Sequence, residues 1–377
     1  MKTKTQWLKG FVILMILAVA QPGFSQEFLG RQDGKFFSPE DDEILLSGTF
    51  QNLASLFQDN PGSSLGDATW KGRQYFAQAK GSTDSASGED PSAPDMDQMA
   101  EALANPLSYL WLLFMQNDTI WYDGDIADAL GEGAKVQNTF LLNPVLSLQL
   151  TKNWKAIIRP VIPINSFETV GNVDISTTTP GTVTGVNFER ETGLGDIVLW
   201  TAFSNQYKPP FVWGFGPTIM LNTATDNQLG TGKFSAGPMG LAFSITEKWI
   251  LGTVAQHWWS FAGEDDLSVN TTAGPIRVDR PDVNLTDIQP VIRYRLSPVT
   301  NIGFAPNWRY NWETDQLNLP IGIGGDTLIM MGPLPVKIGL EVYYYVERDD
   351  DFGPDWQIRF LFVPVIPSPD WARSPLF

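Results

Sequence analysis

His257 is the only imidazole in this chain of 377 residues, and there is no cysteine. Disulfides, thiolate metal sites and cysteine catalysis are thereby excluded, and a multi-histidine zinc site cannot be assembled within one chain. Any serine–histidine hydrolysis would have to run through His257. Ser260 lies three residues on, and in a regular strand an odd separation places it on the opposite face. Ser235, from a neighbouring predicted strand, is the other nucleophile to weigh. A histidine satisfied by its neighbours is the simpler reading, so no catalytic residue and no enzyme activity is assigned.

The run Thr223 to Lys233 ends in Gly-Thr-Gly-Lys, which has the look of a phosphate-binding loop. That template needs a glycine five residues before the glycine preceding the lysine, and Asn227 stands there. The run therefore reads as a hairpin loop, with Asp226 and Lys233 as candidates for narrowing a lumen. Three acidic clusters (Asp123, Asp125 and Asp128; Glu264 to Asp266; Asp349 to Asp351) offer hard oxygens, but none has the calcium-loop spacing. They read as solvated loop charge, and neither metal nor cofactor is expected.

A further set of charges falls inside apolar segments: Lys155, Arg159, Arg293, Arg295, Arg309, Lys337 and Arg359, with Glu341 and Asp287 near them in pattern. Charges there need a wet or paired interior. They could set ion selectivity along a lumen, or they could form a salt-bridge network that fills one.

The elements that would position them are strands. With 34 Gly, 27 Pro, 14 Trp and 12% aromatic residues, the composition favours strands and turns. The pattern predicts twelve, at roughly 110–122, 136–150, 153–166, 192–205, 208–222, 233–246, 248–261, 284–297, 299–312, 315–330, 335–347 and 355–365. Most exceed the about 5–6 residues usual in soluble sheets and suit tilted strands crossing hydrocarbon. Connections alternate between short (151–152, 206–207, 247, 298, 332–335) and long or polar (123–135, 168–191, 224–232, 262–283, 347–355), with the brief 313–314 turn breaking the rule. Such alternation marks an outer-membrane barrel with both termini in the periplasm.

Trp154 and Trp249 follow short turns, while Trp258, Trp259, Trp312 and Trp356 sit at the opposite strand ends, as two interfacial girdles require. In the last strand Trp356, Ile358, Phe360 and Phe362 alternate with Gln357 and Arg359, placing aromatics towards lipid and arginine towards a lumen. The expected fold is an all-β, transmembrane antiparallel barrel of about 12 strands. A soluble β-sandwich is the alternative.

Residues 1–25 carry three lysines, an apolar block at 11–20 and small residues before Gln26, and read as a signal peptide. Residues 26–109 form an acidic, flexible segment with short helices expected at 41–57 and 95–104; residues 110–365 form the barrel and 366–377 a tail. The net charge of −17 excludes a nucleic-acid partner.

The blocks GFGPTIMLNTATDNQLGTGKFSAGP (214–238), WILGTVAQHWWSFAG (249–263) and IQPVIRYRL (288–296), with ANPLSYLWLLFMQND (104–118) and WKAIIRPVIPI (154–164), resemble the bacterial outer-membrane MetA-pathway of phenol degradation family. Its members are often labelled transporters, or misleadingly neuromedin U. The resemblance spans roughly residues 100 to 365. It implies passive passage of small, hydrophobic or aromatic molecules through the outer membrane of a Gram-negative bacterium. Outer-membrane lipid, lipopolysaccharide, the solute and the barrel assembly machinery would be the partners. The acidic segment before residue 100 departs from the family pattern and favours a second reading, a plugged structural or binding barrel.

Overall fold

The computed structural model describes residues 96–106, 108, 110–125, 134–175, 183–205, 210–332 and 334–376. The signal peptide, the helix expected at 41–57, the linker that follows it and Asp128 lie outside the described residues.

Sixteen strands follow a short helix, α1 (Met96–Ala104): β1 (Leu110–Asp123), β2 (Lys135–Gln149), β3 (Lys155–Ile175), β4 (Val183–Leu194), β5 (Ile197–Ser204), β6 (Phe211–Leu221), β7 (Lys233–Ile245), β8 (Trp249–Gly263), β9 (Asp266–Val269), β10 (Ile276–Asp279), β11 (Asn284–Arg295), β12 (Thr300–Phe304), β13 (Trp308–Asn311), β14 (Gln316–Met331), β15 (Leu334–Glu347) and β16 (Gly353–Pro367). A single turn of helix, α2 (Asp370–Arg373), follows β16. β9 and β10 make a separate hairpin within a long loop.

The others close into a twelve-stave antiparallel barrel. β4 and β5 are successive halves of one stave against β3, and β12 and β13 are halves of another against β11 and β14. β1 pairs β16 over Leu110 to Asp123, and β8 pairs β11 over Trp249 to Trp259, so no edge is left open. Closure is what hydrocarbon demands, because an unpaired N–H or C=O has no water there to bond.

The wall is inside-out relative to a soluble protein. Phe215, Leu251, Ile288, Ile292, Ile323, Ile358 and Phe360 are exposed on its outer face, whereas Gln116, Asp118, Asp287, Arg293, Asp326, Glu341 and Arg359 are buried inside. In β16 the alternation is visible residue by residue: Trp356, Ile358 and Phe360 face out, Gln357, Arg359 and Leu361 face in. A sandwich would bury the first set.

Two expected boundaries are corrected. The polar stretch 168–191, expected as a loop, is largely strand: β3 runs on to Ile175 and returns as β4. One face of the hairpin is packed, with Phe167 against Leu229 and Phe352 and Val173 against Leu267 and Val269, while the alternate positions Glu168, Asn172 and Asp174 are polar, so the apolar signal of a lipid-facing strand is absent. The stave expected over 299–312 breaks at Ala305-Pro306-Asn307, which leaves the sheet and turns inwards; proline at 306 has no N–H to give the ladder. The chain end also packs down: Leu376 N–H bonds the carbonyls of Gln149 and Leu150 at 3.1 Å, and Ala372 is buried.

Candidate functional site in the barrel lumen

The interior is built on strand parity, which sends every second side chain inwards. From β1, β11, β13, β14, β15 and β16 these inward residues form one charge network. Arg359 forks the Asp118 carboxylate, 2.9 Å from Nε and 3.2 Å from Nη2, and its Nη1 lies 3.7 Å from Glu341. Arg293 bonds Glu341 through Nη2, and its Nη1 forms an ion pair 2.8 Å from Asp326. Lys337 reaches the other Asp326 oxygen at 2.9 Å, and Arg309 Nε donates to Asp287 at 2.7 Å. The Tyr343 hydroxyl donates to Glu341 at 2.5 Å and accepts the Ala305 N–H at 3.1 Å. Arg359 Nη1 also donates to the Ala305 carbonyl, and Asn307 Nδ2 to Asp287. The inward turn at 305–307 is therefore the hub that satisfies both halves of the network. Four cations meet four carboxylates, and burial without such pairing would cost several kcal/mol per ion.

Beside the network lies a cavity of about 210 Å³. One wall is charged, with Arg293, Asp326, Lys337, Glu341 and Arg359. The facing wall is apolar, with Phe114, Trp200, Leu241, Phe243 and Val254, and carries Arg159. Ala100, Leu103, Ala104 and Pro106 close it on the side of the short turns, so α1 lies in the lumen. Its sequence, MDQMAEALA, is rich in strong helix formers. It ends at Ala104, two residues before Pro106, which cannot continue a helix. Nine residues are too few for an isolated helix, so its order comes from docking an apolar face that includes buried Met99.

The long-loop end is covered as well. Loop 222–232 crosses the mouth, and its Leu229 packs with Phe167 of β3 and Phe352 of the 348–352 loop, against Tyr122. Asp196, in the break between β4 and β5, holds the loop by accepting from the N–H groups of Thr223, Ala224 and Thr231 and from the Thr231 hydroxyl. Arg280 holds it from the other side, donating to the carbonyls of Asn227 and Gly230. The glycines that suggested a phosphate loop have a structural reason. A Cβ at Gly230 would sit 2.5 Å from the Asp196 carboxylate, and Gly232, at φ +69°, lies under the Arg280 guanidinium.

Asp226 and Lys233 are both engaged in the loop and its surroundings. Asp226 accepts the Gln228 N–H and its carbonyl the Leu229 N–H, shaping the turn that presents Leu229. Lys233 pairs with Asp265 at 2.7 Å and Asp282 at 3.3 Å on the rim. Loop acids are used in the same way: Glu264 approaches Arg280, Asp266 approaches Arg277, and Asp349 accepts from Gln316, Asp351 and Phe352. Among the described residues no cluster of acids and histidine could hold a metal.

Lys155 is buried inside near the short turns, and Arg295 projects there with a buried Nη2 that makes no hydrogen bond. Arg309 is open to solvent within the lumen, its side chain 57% accessible, while its partner Asp287 is 2% accessible. Trp154 and Trp249 are exposed at the short-turn end, and Trp259, Trp312 and Trp356 at the other. Trp258 is corrected: it faces inwards, 4% exposed, and its Nε1 donates to Thr218. Adjacent strand residues point to opposite faces, so Trp258 and Trp259 cannot share a girdle. His257 faces outwards with Trp259; its Nδ1 is 2.7 Å from the Thr286 hydroxyl. Ser260 and buried Ser235 face inwards, away from it.

Sequence reading missed Asp118, Asp326, Asp196, Leu229 and the lumen position of α1. Asp118 and Asp326 carried the signal already used for the cations, a charge at inward parity in a membrane strand. Asp196 and Leu229 act through loop geometry that periodicity does not encode.

No family model matches the chain, and no curated protein does. Solved structures of similar fold include an outer membrane channel from Pseudomonas putida, 13% identical, covering 68% of this chain and 94% of that one at a TM-score of 0.49. The CymD monoaromatic hydrocarbon channel is 10% identical, with 72% and 92% covered and a TM-score of 0.39. Outer membrane phospholipase A from Escherichia coli is 14% identical, with 75% and 99% covered and a TM-score of 0.33.

Proposed function

We propose that the chain is a passive channel of a Gram-negative outer membrane for small hydrophobic or aromatic molecules. The observation that carries this is a closed barrel whose internal cavity has an apolar wall and whose two ends are covered by segments outside the wall. A filled barrel meant only as a structural pillar has no need of separate covers. The apolar belt would contact outer-membrane lipid, the loops would meet lipopolysaccharide, and the barrel assembly machinery would insert the chain.

The second reading, a plugged binding barrel, is favoured by the matched charges and by α1 in the lumen. Planar-bilayer recordings on the refolded protein separate the two. Discrete conductance steps, more frequent when α1 is loosened, support the channel. Silence in both cases, from protein whose gel mobility shifts on heating as a folded barrel's does, leaves the plugged barrel.

A further inference from the structure

Arg159 is a cation that the lumen network does not match. It points into the cavity from β3, yet among the described residues no carboxylate lies within ion-pair distance and no group accepts a hydrogen bond from it; its buried Nε is unpartnered. Instead its guanidinium lies 5.4 Å from the Phe114 ring centre and 5.5 Å from that of Trp200, its cross-strand neighbour. Aromatic faces attract a guanidinium through their quadrupole, but they leave its in-plane N–H donors unused. Those donors form the fork that fits a carboxylate.

We infer that Arg159 is a binding site for small organic anions, a monocyclic aromatic or short-chain carboxylate being the class that fits. This deepens the channel reading and rests on it. The carboxylate would take the free edge of Arg159, and the body would lie on the apolar wall of Leu241, Phe243 and Val254. A cavity of about 210 Å³ is smaller than the roughly 300–1,000 Å³ typical of pockets for drug-sized ligands, which limits the body to about one ring. An inorganic anion would gain nothing from that wall. An amino acid would need a second, acidic partner for its ammonium, and Asp326 and Glu341 are already engaged by Arg293, Lys337 and Arg359.

The test is a titration of the full-length protein in detergent, read by tryptophan fluorescence, with benzoate and its neutral counterpart benzyl alcohol as probes. Benzoate should bind saturably and at least tenfold more tightly than benzyl alcohol. In Arg159→Gln that preference should vanish, with benzyl alcohol binding unchanged. Equal binding of the two by the unaltered protein, which requires no variant to fold, overturns the site, as does undiminished benzoate affinity in a folded Arg159→Gln. Displacement of benzoate by equimolar chloride would overturn the organic class. Flux into liposomes is measured separately. Selective binding without flux keeps the site and removes the channel, whereas equal flux of both probes without selective binding does the reverse.

Discussion

Glu341 is 1% exposed and serves three partners at once: Arg293, Arg359 and the Tyr343 hydroxyl. Its value is better judged by what its loss leaves behind than by the sum of its contacts. Glu341→Gln keeps the shape but leaves two arginines sharing fewer carboxylates, and breaking a buried pair costs about 3–5 kcal/mol. Unfolding in denaturant, followed by heat-shifted gel mobility, should move to lower concentration by that amount. Tyr343→Phe removes two bonds, one to the charged Glu341 worth about 1.5–3 kcal/mol and one from the Ala305 N–H worth about 1 kcal/mol. If Tyr343→Phe proves the more damaging change, the network is not organised around the carboxylate.

At the scale of elements, the two covers are held by different physics and should respond to different changes. α1 is held by apolar burial. Leu103→Glu replaces a half-buried apolar side chain lining the cavity and adds a charge beside Glu341's wall, so α1 should be displaced and bilayer openings should rise at least tenfold. The 222–232 loop is held by hydrogen bonds to Asp196 and Arg280. Asp196→Ala removes four of them, and Gly232→Ala places a methyl group where Arg280 lies and strains a positive φ. Either should make the loop sensitive to protease in intact liposomes while the barrel keeps its heat shift. Protection as complete as in the parent chain would mean that the Leu229, Phe167 and Phe352 contact alone holds the mouth.

These elements also show where the sequence is legible. The twelve staves could be read because lipid on one side and a polar lumen on the other impose a period of two with opposite preferences. The reading failed wherever that contrast disappears. In the β3–β4 hairpin beyond the apolar belt, Glu168, Asn172 and Asp174 are polar at the positions alternate to the packed Phe167 and Val173, so no lipid-facing apolar row remains. Trp258 was assigned by residue type against its parity. α1 is legible as a helix at 95–104, but its place beside the cavity depends on tertiary packing that its own sequence does not encode.

At the scale of the whole molecule, charge is segregated. The chain carries a net −17, yet among the described residues the buried carboxylates of the wall are only Asp118, Asp287, Asp326 and Glu341, each engaged by a cation. Arg159 and Arg295 then add positive charge to the lumen, while most other acids of the described residues lie in loops and in strand segments towards the loop ends, such as the β3–β4 hairpin. A surface-averaged view predicts a cation-selective pore; the lumen predicts the opposite. Exposed charges more than about 8–10 Å from a permeating ion are largely screened at physiological salt, so the lumen charges should decide. With α1 displaced by Leu103→Glu, the reversal potential in a potassium chloride gradient should take the sign for chloride. Adding Arg159→Glu and Arg295→Glu should carry it towards potassium. A pore selective for potassium before those two changes would show that the loop acids, and not the inward arginines, control what passes.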